Sequence, residues 1–314
     1  VNLNSFLRPL TPNWCAMGDL LYHEAIRPGL SRLIEVKRVV YSGRTRFQRV
    51  DIVDTEVFGR MLFLDGISQL STFDEHIYHE SLVHPALLTH PRPRRVLIIG
   101  GGDGGALEEV LKHRVVEEVV MVDIDEELIG LTRRYLWEVN RGAFDDPRVH
   151  LIFRDGREYI DGCSEDFDAV ILDLTDPLGP SRRLYTLEAY RRIGEIIGDE
   201  GIMATHAESP YIYQREFLTI HRTLSEVYRI VRPYGAWIPS LGPYWMFITA
   251  SNTHDPRALS PGEIERRLKE RGIETKYYTS ELQRAIFTLP KNIQEALNRG
   301  DVEPSTDERP LERV

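Results

Sequence analysis

The stretch RVLIIGGGDGG, residues 95–105, decides the fold. A short apolar run ends in glycines, and ALEEVLKHR follows at helical spacing. Gly100, Gly102 and Gly105 fit G-x-G-x-x-G, a loop that brings backbone close to a ligand at a helix N-terminus. Alone that signal is weak. It strengthens downstream, where EVVMVDI (118–124) reads as the next strand and ends on Asp123, a carboxylate placed to accept both ribose hydroxyls of a nucleoside. The rhythm then continues. EELIGLTRRYLWEVN reads as a helix, VHLIFRD and FDAVILDL as strands, LEAYRRIGEII as a helix and GIMATHA as a strand. Strands alternating with helices imply right-handed βαβ units and an α/β fold with a doubly wound, mostly parallel sheet. YRIVRPYGAWIP and YWMFITAS read as a late antiparallel edge hairpin, and PGEIERRLKERG as a further helix.

Upstream the pattern differs. Residues 1 to about 30 read as irregular or mixed, with Pro9, Pro12 and Pro28 as breakers. From Glu35 to Leu70, β-branched runs broken at Ser42-Gly43 and Asp65-Gly66 give hairpin signals and a small antiparallel β domain. HIYHESLVHPALLT (76–89) looks helical but is interrupted by Pro85, and Pro91 and Pro93 mark a boundary. The division expected is an N-terminal segment and β domain over 1–90, a catalytic domain over 91–300 and a tail over 301–314. The tail is charged and proline-containing, so it is expected to be poorly ordered or to lie over the surface.

Composition narrows the function. The 314 residues carry a net charge of −10, which counts against a nucleic-acid reader and suits a cationic substrate. The same charge also serves solubility. Runs such as Val96–Ile99 are far short of the ~20 residues a membrane span needs. VNLNSFLRPLTPNWCAMGDL shows no secretory pattern, and Cys15 and Cys163 show neither disulfide nor zinc spacing. A cytoplasmic location is expected.

Asp103 lies inside the glycine loop, where it would repel a pyrophosphate and suit an amine. That favours decarboxylated S-adenosylmethionine over NAD and over the intact methyl donor. The same carboxylate would also cap the following helix. Asp155-Gly156 follows the third strand, where the acid can accept from an adenine amino group or simply make a turn. Asp173 and Asp176 follow the strand AVIL, at the edge where open α/β sheets bind ligands. Pro177 makes Asp176 also readable as a helix start, which leaves Asp173 unexplained.

GGGDGG, VMVDID, RDGREY and DLTDPLGP together resemble the polyamine aminopropyltransferases typified by spermidine synthase, and LFLDGISQLSTFDEHIYHESLVHPALLTHP resembles the family's preceding segment. The resemblance runs from about Tyr41 to Leu297. It implies a Rossmann-like domain of the class I methyltransferase type behind a small β domain, in a homodimer or homotetramer. It implies that Gln48, Gln69, His79, Gly100, Gly102, Asp103, Asp123, Asp155 and Gly156 hold the donor, and that decarboxylated S-adenosylmethionine is a co-substrate with no prosthetic group. Asp173 then corresponds to the catalytic base, with Tyr78 beside it; Tyr78, Asp173 and Asp176 face the acceptor. Glu208 joins the acceptor set because it follows the strand GIMATHA at the expected ligand edge, and Trp245, Tyr211 and Tyr244 offer aromatic faces to a cation. For the aromatics, core packing explains their placement equally well.

The acceptor segment IPSLGPYWMFITAS departs from putrescine-specific members, with Leu241 near their tyrosine position. It is closer to thermospermine synthases or to enzymes taking agmatine or longer amines. Phe73 stands where many members have arginine. Spermidine, agmatine and putrescine are all retained as acceptors. No metal-ligand cluster is evident. Three other readings stay open at this point: a methyltransferase acting on a small amine, an NAD-dependent dehydrogenase, and a non-catalytic polyamine-binding homologue.

Overall fold

The computed structural model describes residues 14–17 and 19–313. They form two compact units that divide between Phe73 and Asp74. The boundary therefore falls before the first helix, and not at the prolines near residue 91.

The first unit is an antiparallel meander of six strands in chain order: β1 (Trp14–Met17), β2 (Asp19–Arg27), β3 (Leu30–Arg44), β4 (Arg49–Thr55), β5 (Arg60–Leu64) and β6 (Ile67–Ser71). Of the stretch expected to be irregular or mixed, residues 14–17 and 19–27 are strand, and residues 1–13 lie outside the described residues. Tyr22, Ile34, Val36, Val53, Met61 and Phe63 fill its core. Asp65 and Gly66 turn β5 into β6 with φ of 48° and 88°, the left-handed pair that a tight two-residue hairpin requires. Ser42-Gly43 is not a turn. It lies within β3, and the reversal comes at Thr45–Gln48, where the Thr45 N–H donates to the Gln48 carbonyl (2.9 Å).

The second unit opens with α1 (Glu75–Thr89), β7 (Arg95–Gly100), α2 (Gly105–Lys112), β8 (Glu118–Asp123), α3 (Glu126–Tyr135) and α4 (Trp137–Asn140). It continues through β9 (Val149–Phe153), α5 (Gly156–Gly162), β10 (Ala169–Asp173), α6 (Leu187–Ile197), β11 (Ile202–His206) and α7 (Gln214–Ser225). It closes with β12 (Ile230–Trp237), β13 (Tyr244–Ser251), α8 (Pro261–Arg271), α9 (Ser280–Ile286) and α10 (Lys291–Arg299). The sheet order is β12-β13-β11-β10-β7-β8-β9, parallel from β11 to β9, with β13 and β12 antiparallel at one edge. Alternation along each strand builds two cores. Val96, Ile98 and Ile171 face one side with α1 and α2, while Leu97, Ile99 and Leu172 face the other with α5, α6 and α7.

After β9 the chain returns to the far side of β7 and lays down β10. The strand order reverses between these two neighbours, and Gly100 is paired with Asp173 at their carboxyl ends. In such sheets the crevice at this reversal holds the ligand.

Pro85 does not break α1. A proline frees the carbonyl four residues before it, and here the Tyr234 hydroxyl donates to the Ser81 carbonyl (2.9 Å). The predicted helix 126–140 is in fact two, parted at Leu136, where the buried Asn140 side-chain amide donates to the Thr132 and Leu136 carbonyls (3.1 and 3.0 Å). The segment 301–313 is docked rather than loose. Leu311 and Ser305 are buried, and Arg157 holds the Asp307 carboxylate through two hydrogen bonds of 2.6 and 2.7 Å. Among the described residues no helix is long and apolar enough to cross a membrane.

Candidate active site

The site is built from three places: the first turns of α1, the loop after β7 and the end of β10. Tyr78 and His79 project from α1. The Tyr78 hydroxyl donates to Asp173 Oδ1 (3.1 Å), while Asp173 Oδ2 is buried and makes no hydrogen bond. His79 stands between two acids. Its Nδ1 is 2.8 Å from Glu75 Oε2, one helical turn back, and its Nε2 is 3.3 Å from Asp103 Oδ1.

The glycines let these groups meet. Gly100 has φ of 82°, and a Cβ there would fall 2.2 Å from the Asp173 carbonyl oxygen. A Cβ on Gly105 would fall 2.1 Å from the His79 ring. Gly105 also donates its N–H to Asp103 Oδ1 (2.7 Å). Asp103 thus closes an Asx-type turn onto the first residue of α2, whose N-cap is Gly104, and also pairs with His79.

Burial dominates the electrostatics. It pushes Asp173 up to about 7, aided by the charge of Asp103 and opposed by His79 and the Tyr78 hydrogen bond. Burial likewise raises Asp123 to about 6, although the Asp125 N–H donates to its Oδ1 (2.7 Å). Burial also disfavours charge on His79 and Asp103, yet their mutual attraction wins: His79 is held well above its usual range and Asp103 below its own. Burial, with a smaller push from Asp173, raises the Tyr78 phenol well above 10. At neutral pH the crevice therefore holds an ionised pair beside a carboxyl balanced between its two forms.

One nitrogen of His79 and one oxygen each of Asp103 and Asp173 lie within 4.8 Å of one another, close enough to hold a metal ion once His79 has given up its proton. Sequence reading names all three residues but finds no metal-ligand cluster, because they come from three separate elements. Asp155 is elsewhere occupied: it caps α5 by accepting the Glu158 N–H (3.0 Å) and lies 4.0 Å from Arg183. Gln48 and Gln69 belong to the first unit, where the Gln69 side-chain amide donates to the Ile67 carbonyl (3.1 Å). Trp245 is buried against His206, with ring centres 6.0 Å apart, and its indole N–H has no partner. Tyr211 is exposed, 6.5 Å from Tyr244.

Asp176 and Glu208 are both buried. Glu208 sits in the left-handed region with φ of 63°, which is costly for a residue with a Cβ. Sequence reading missed Glu75, although its spacing of four from His79 was available. It also missed Arg313, whose guanidinium reaches Asp176; no local pattern marks that contact.

Residues 75–259 match the family described as the spermine/spermidine synthase domain, and residues 20–72 match the spermidine synthase tetramerisation domain. A polyamine aminopropyltransferase of Korarchaeum cryptofilum is 43% identical over 297 residues, 94% of this chain and 92% of the relative. One from Hyperthermus butylicus is 43% identical over 283 residues, 89% of this chain and 92% of its own. The chain belongs to the spermine/spermidine synthase family. It is an aminopropyltransferase of polyamine biosynthesis that uses decarboxylated S-adenosylmethionine as co-substrate and no prosthetic group. Among solved structures, a spermidine synthase in complex with the transition-state analogue AdoDATO superposes with a TM-score of 0.85 at 34% identity, covering 95% of this enzyme and all of that chain. Spermidine synthase from Thermotoga maritima gives 0.84 at 33% identity, with the same coverage of this enzyme.

Proposed function

We propose that Asp173 is the base that frees the acceptor amine, with Tyr78 orienting it, and that Asp103, Asp123 and His79 hold the donor. The observation that supports this most directly is the buried, unpartnered Oδ2 of Asp173 beside Asp103 and His79. An alkylammonium has a pKa near that of lysine, about 10.4, so a base must remove a proton before attack. The nitrogen lone pair then forms a bond to the carbon next to the sulfonium. The carbon–sulfur bond breaks, its electron pair stays on sulfur, and neutral methylthioadenosine leaves without needing an acid. The proton passes to Asp173. Asp103 receives the donor's ammonium, which favours the decarboxylated donor over the intact one, whose carboxylate it would repel. Gly100 and Gly102 allow close backbone approach. Gln48, Gln69, Asp155 and Gly156 complete the donor set as the family pattern implies; for Asp155 this means serving a ligand and the α5 cap together.

The acceptor is a di- or polyamine whose distal cation is met by Asp176 and Glu208, with Trp245 as an aromatic wall. Spermidine, agmatine and putrescine fit this class. Leu241 and Trp245 favour the first two, and thermospermine is one product of extending spermidine. The enzyme acts in the cytoplasm, an assignment supported by its sparse cysteines, and assembles as a homodimer or homotetramer, in line with the tetramerisation-domain match. Decarboxylated S-adenosylmethionine offered with each amine in turn tests the reading, with products identified by mass and fragmentation. Turnover on spermidine or agmatine ahead of putrescine is expected. Clear preference for putrescine would remove Leu241 and Trp245 as specificity residues.

A further inference from the structure

The two acids assigned to the acceptor's distal cation are not open. The Arg313 guanidinium pairs with the Asp176 carboxylate, and its Nε lies 4.0 Å from Glu208 Oε2. Its carbon Cζ lies 3.8 Å from the centre of the Tyr213 ring, whose hydroxyl it also meets. The Arg313 side chain is 7% exposed, that of Asp176 10% and that of Glu208 0%. Two carboxylates and an aromatic face around a buried planar cation make a guanidinium or ammonium subsite.

Two further observations mark this as a ligand subsite rather than a structural ion pair. Neither oxygen of Glu208 makes a hydrogen bond, and burial with repulsion from Glu216 raises its pKa well above the usual carboxylate range. The backbone of Glu208 is held in the left-handed region, a strain typical of functional positions. Arg313, at 4.0 Å, pairs with Glu208 too distantly to hydrogen-bond it, and that leaves a cost which a closer cation would relieve.

Arg313 is delivered by a short reach of chain. The Leu311 N–H is fixed to the Ser305 hydroxyl (2.8 Å), the Ser305 N–H to Thr223 (2.9 Å), and the Arg313 N–H to the Pro177 carbonyl (3.1 Å). Between the Leu311 anchor and Arg313 stands only Glu312, which is exposed.

We infer that Arg313 is a specificity-determining residue, a tethered cation that occupies the distal acceptor subsite of Asp176, Glu208 and Tyr213 and must be displaced by the acceptor's second cation. This rests on the assignment of Asp176 and Glu208 to the acceptor. An acceptor carrying a distal ammonium or guanidinium exchanges one cation for another and leaves no acid unpaired. An amine too short to reach the subsite cannot displace Arg313 and gains nothing there. The apparent affinity for a reaching acceptor is the intrinsic affinity reduced by the fraction of molecules in which the subsite is vacated.

The test is steady-state kinetics with decarboxylated S-adenosylmethionine and spermidine on the full chain carrying Arg313→Ala. A second variant, Arg313→Met, keeps an apolar stem over Tyr213 in case the first folds poorly. The spermidine KM is expected to fall by about five- to tenfold, with kcat within about twofold and the donor KM unchanged. Methylguanidine, as a free replacement cation, is expected to raise the spermidine KM of the variants more than that of the parent. An acceptor KM that is unchanged or higher in the folded variants overturns the inference. Glu208→Gln separates the two levels of argument. If it raises the acceptor KM while loss of Arg313 does not lower it, the inference alone fails. If Glu208→Gln leaves the KM alone, the acceptor assignment itself has failed.

Discussion

At the scale of single residues, the crevice trades stability for chemistry. Asp173 is pushed to about 7 and Asp123 to about 6 by burial, so the folded state holds protons that the unfolded chain has already released. The sign follows. Between the ordinary carboxylate range and about 7 the native state binds more protons, so stability from these groups is full at low pH and lost as pH rises through about 7. Asp173→Asn keeps the shape and an acceptor for Tyr78 while removing the charge. That variant is expected to melt higher than the parent at pH 8, by roughly 2–4 °C for each kcal/mol relieved, with the gap closing toward pH 4. Its turnover is expected to drop by ~10²–10⁴, the range for a lost general base. A melting temperature unchanged at pH 8 would show that the burial cost of Asp173 is offset in the free enzyme. The parent carries a matching pH signature: kcat/KM for the acceptor should rise with pH and level off above about 7, where Asp173 is ionised. A profile flat from pH 5.5 to 8 would rule Asp173 out as the base.

At the scale of elements, most of the α/β pattern was legible because alternation along β7, β8, β10 and β11 reports burial on both faces of a sheet. Elements with other reasons to exist were harder to see. Helix α1 has no polar face: twelve of its fifteen residues are buried, among them Glu80 and His84, so a helical stripe is absent. Its continuity through Pro85 depends on Tyr234, far along the chain. The Glu80 carboxylate explains how α1 tolerates a buried acid, since it accepts the N–H groups of Lys276, Tyr277 and Tyr278 at 2.7, 2.9 and 2.7 Å. Those bonds fix the connection between α8 and α9 against the helix that carries Tyr78 and His79. Glu80→Ala would strand three backbone donors, at a cost of about 3 kcal/mol or more. The expected result is a fall in denaturation midpoint with a higher KM for the donor, as α1 loosens. A drop in stability with donor KM unchanged would show that α1 holds its register without this clamp. The candidate site was legible where family motifs run along the chain, as in GGGDGG and DLTDPLGP, and illegible where it depends on contacts between distant elements, as with Arg313; Glu75 lies one turn before His79 and was open to reading, and Glu208 was named without its left-handed backbone.

At the scale of the whole molecule, the segment after α10 links stability to the proposed acceptor end of the site. Its charge and proline content leave it either poorly ordered or laid over the surface; it is laid down and held, with Asp307 and Arg313 both paired. Asp307 accepts from Arg157 and from the Thr186 hydroxyl (2.7 Å), and its N–H donates to Glu188 (2.9 Å). Arg157 lies in α5 and Thr186 caps α6, so one carboxylate ties the segment to two helices packed on the same face of the sheet. Composition measures how a segment would behave alone; it does not see partners elsewhere in the chain. Asp307→Ala should therefore act in two places. Removing a two-bond ion pair, half open to solvent on the Asp307 side, should cost about 1–2 kcal/mol of stability. If residues 305–311 position Arg313, the same variant should also lower the spermidine KM, by about two- to threefold and less than Arg313→Ala does. Calorimetry with kinetics on one preparation reads both effects. A stability loss with no change in acceptor KM would mean that Asp176, Tyr213 and the Pro177 carbonyl hold Arg313 unaided; the segment would then be a structural strap independent of the cation it carries.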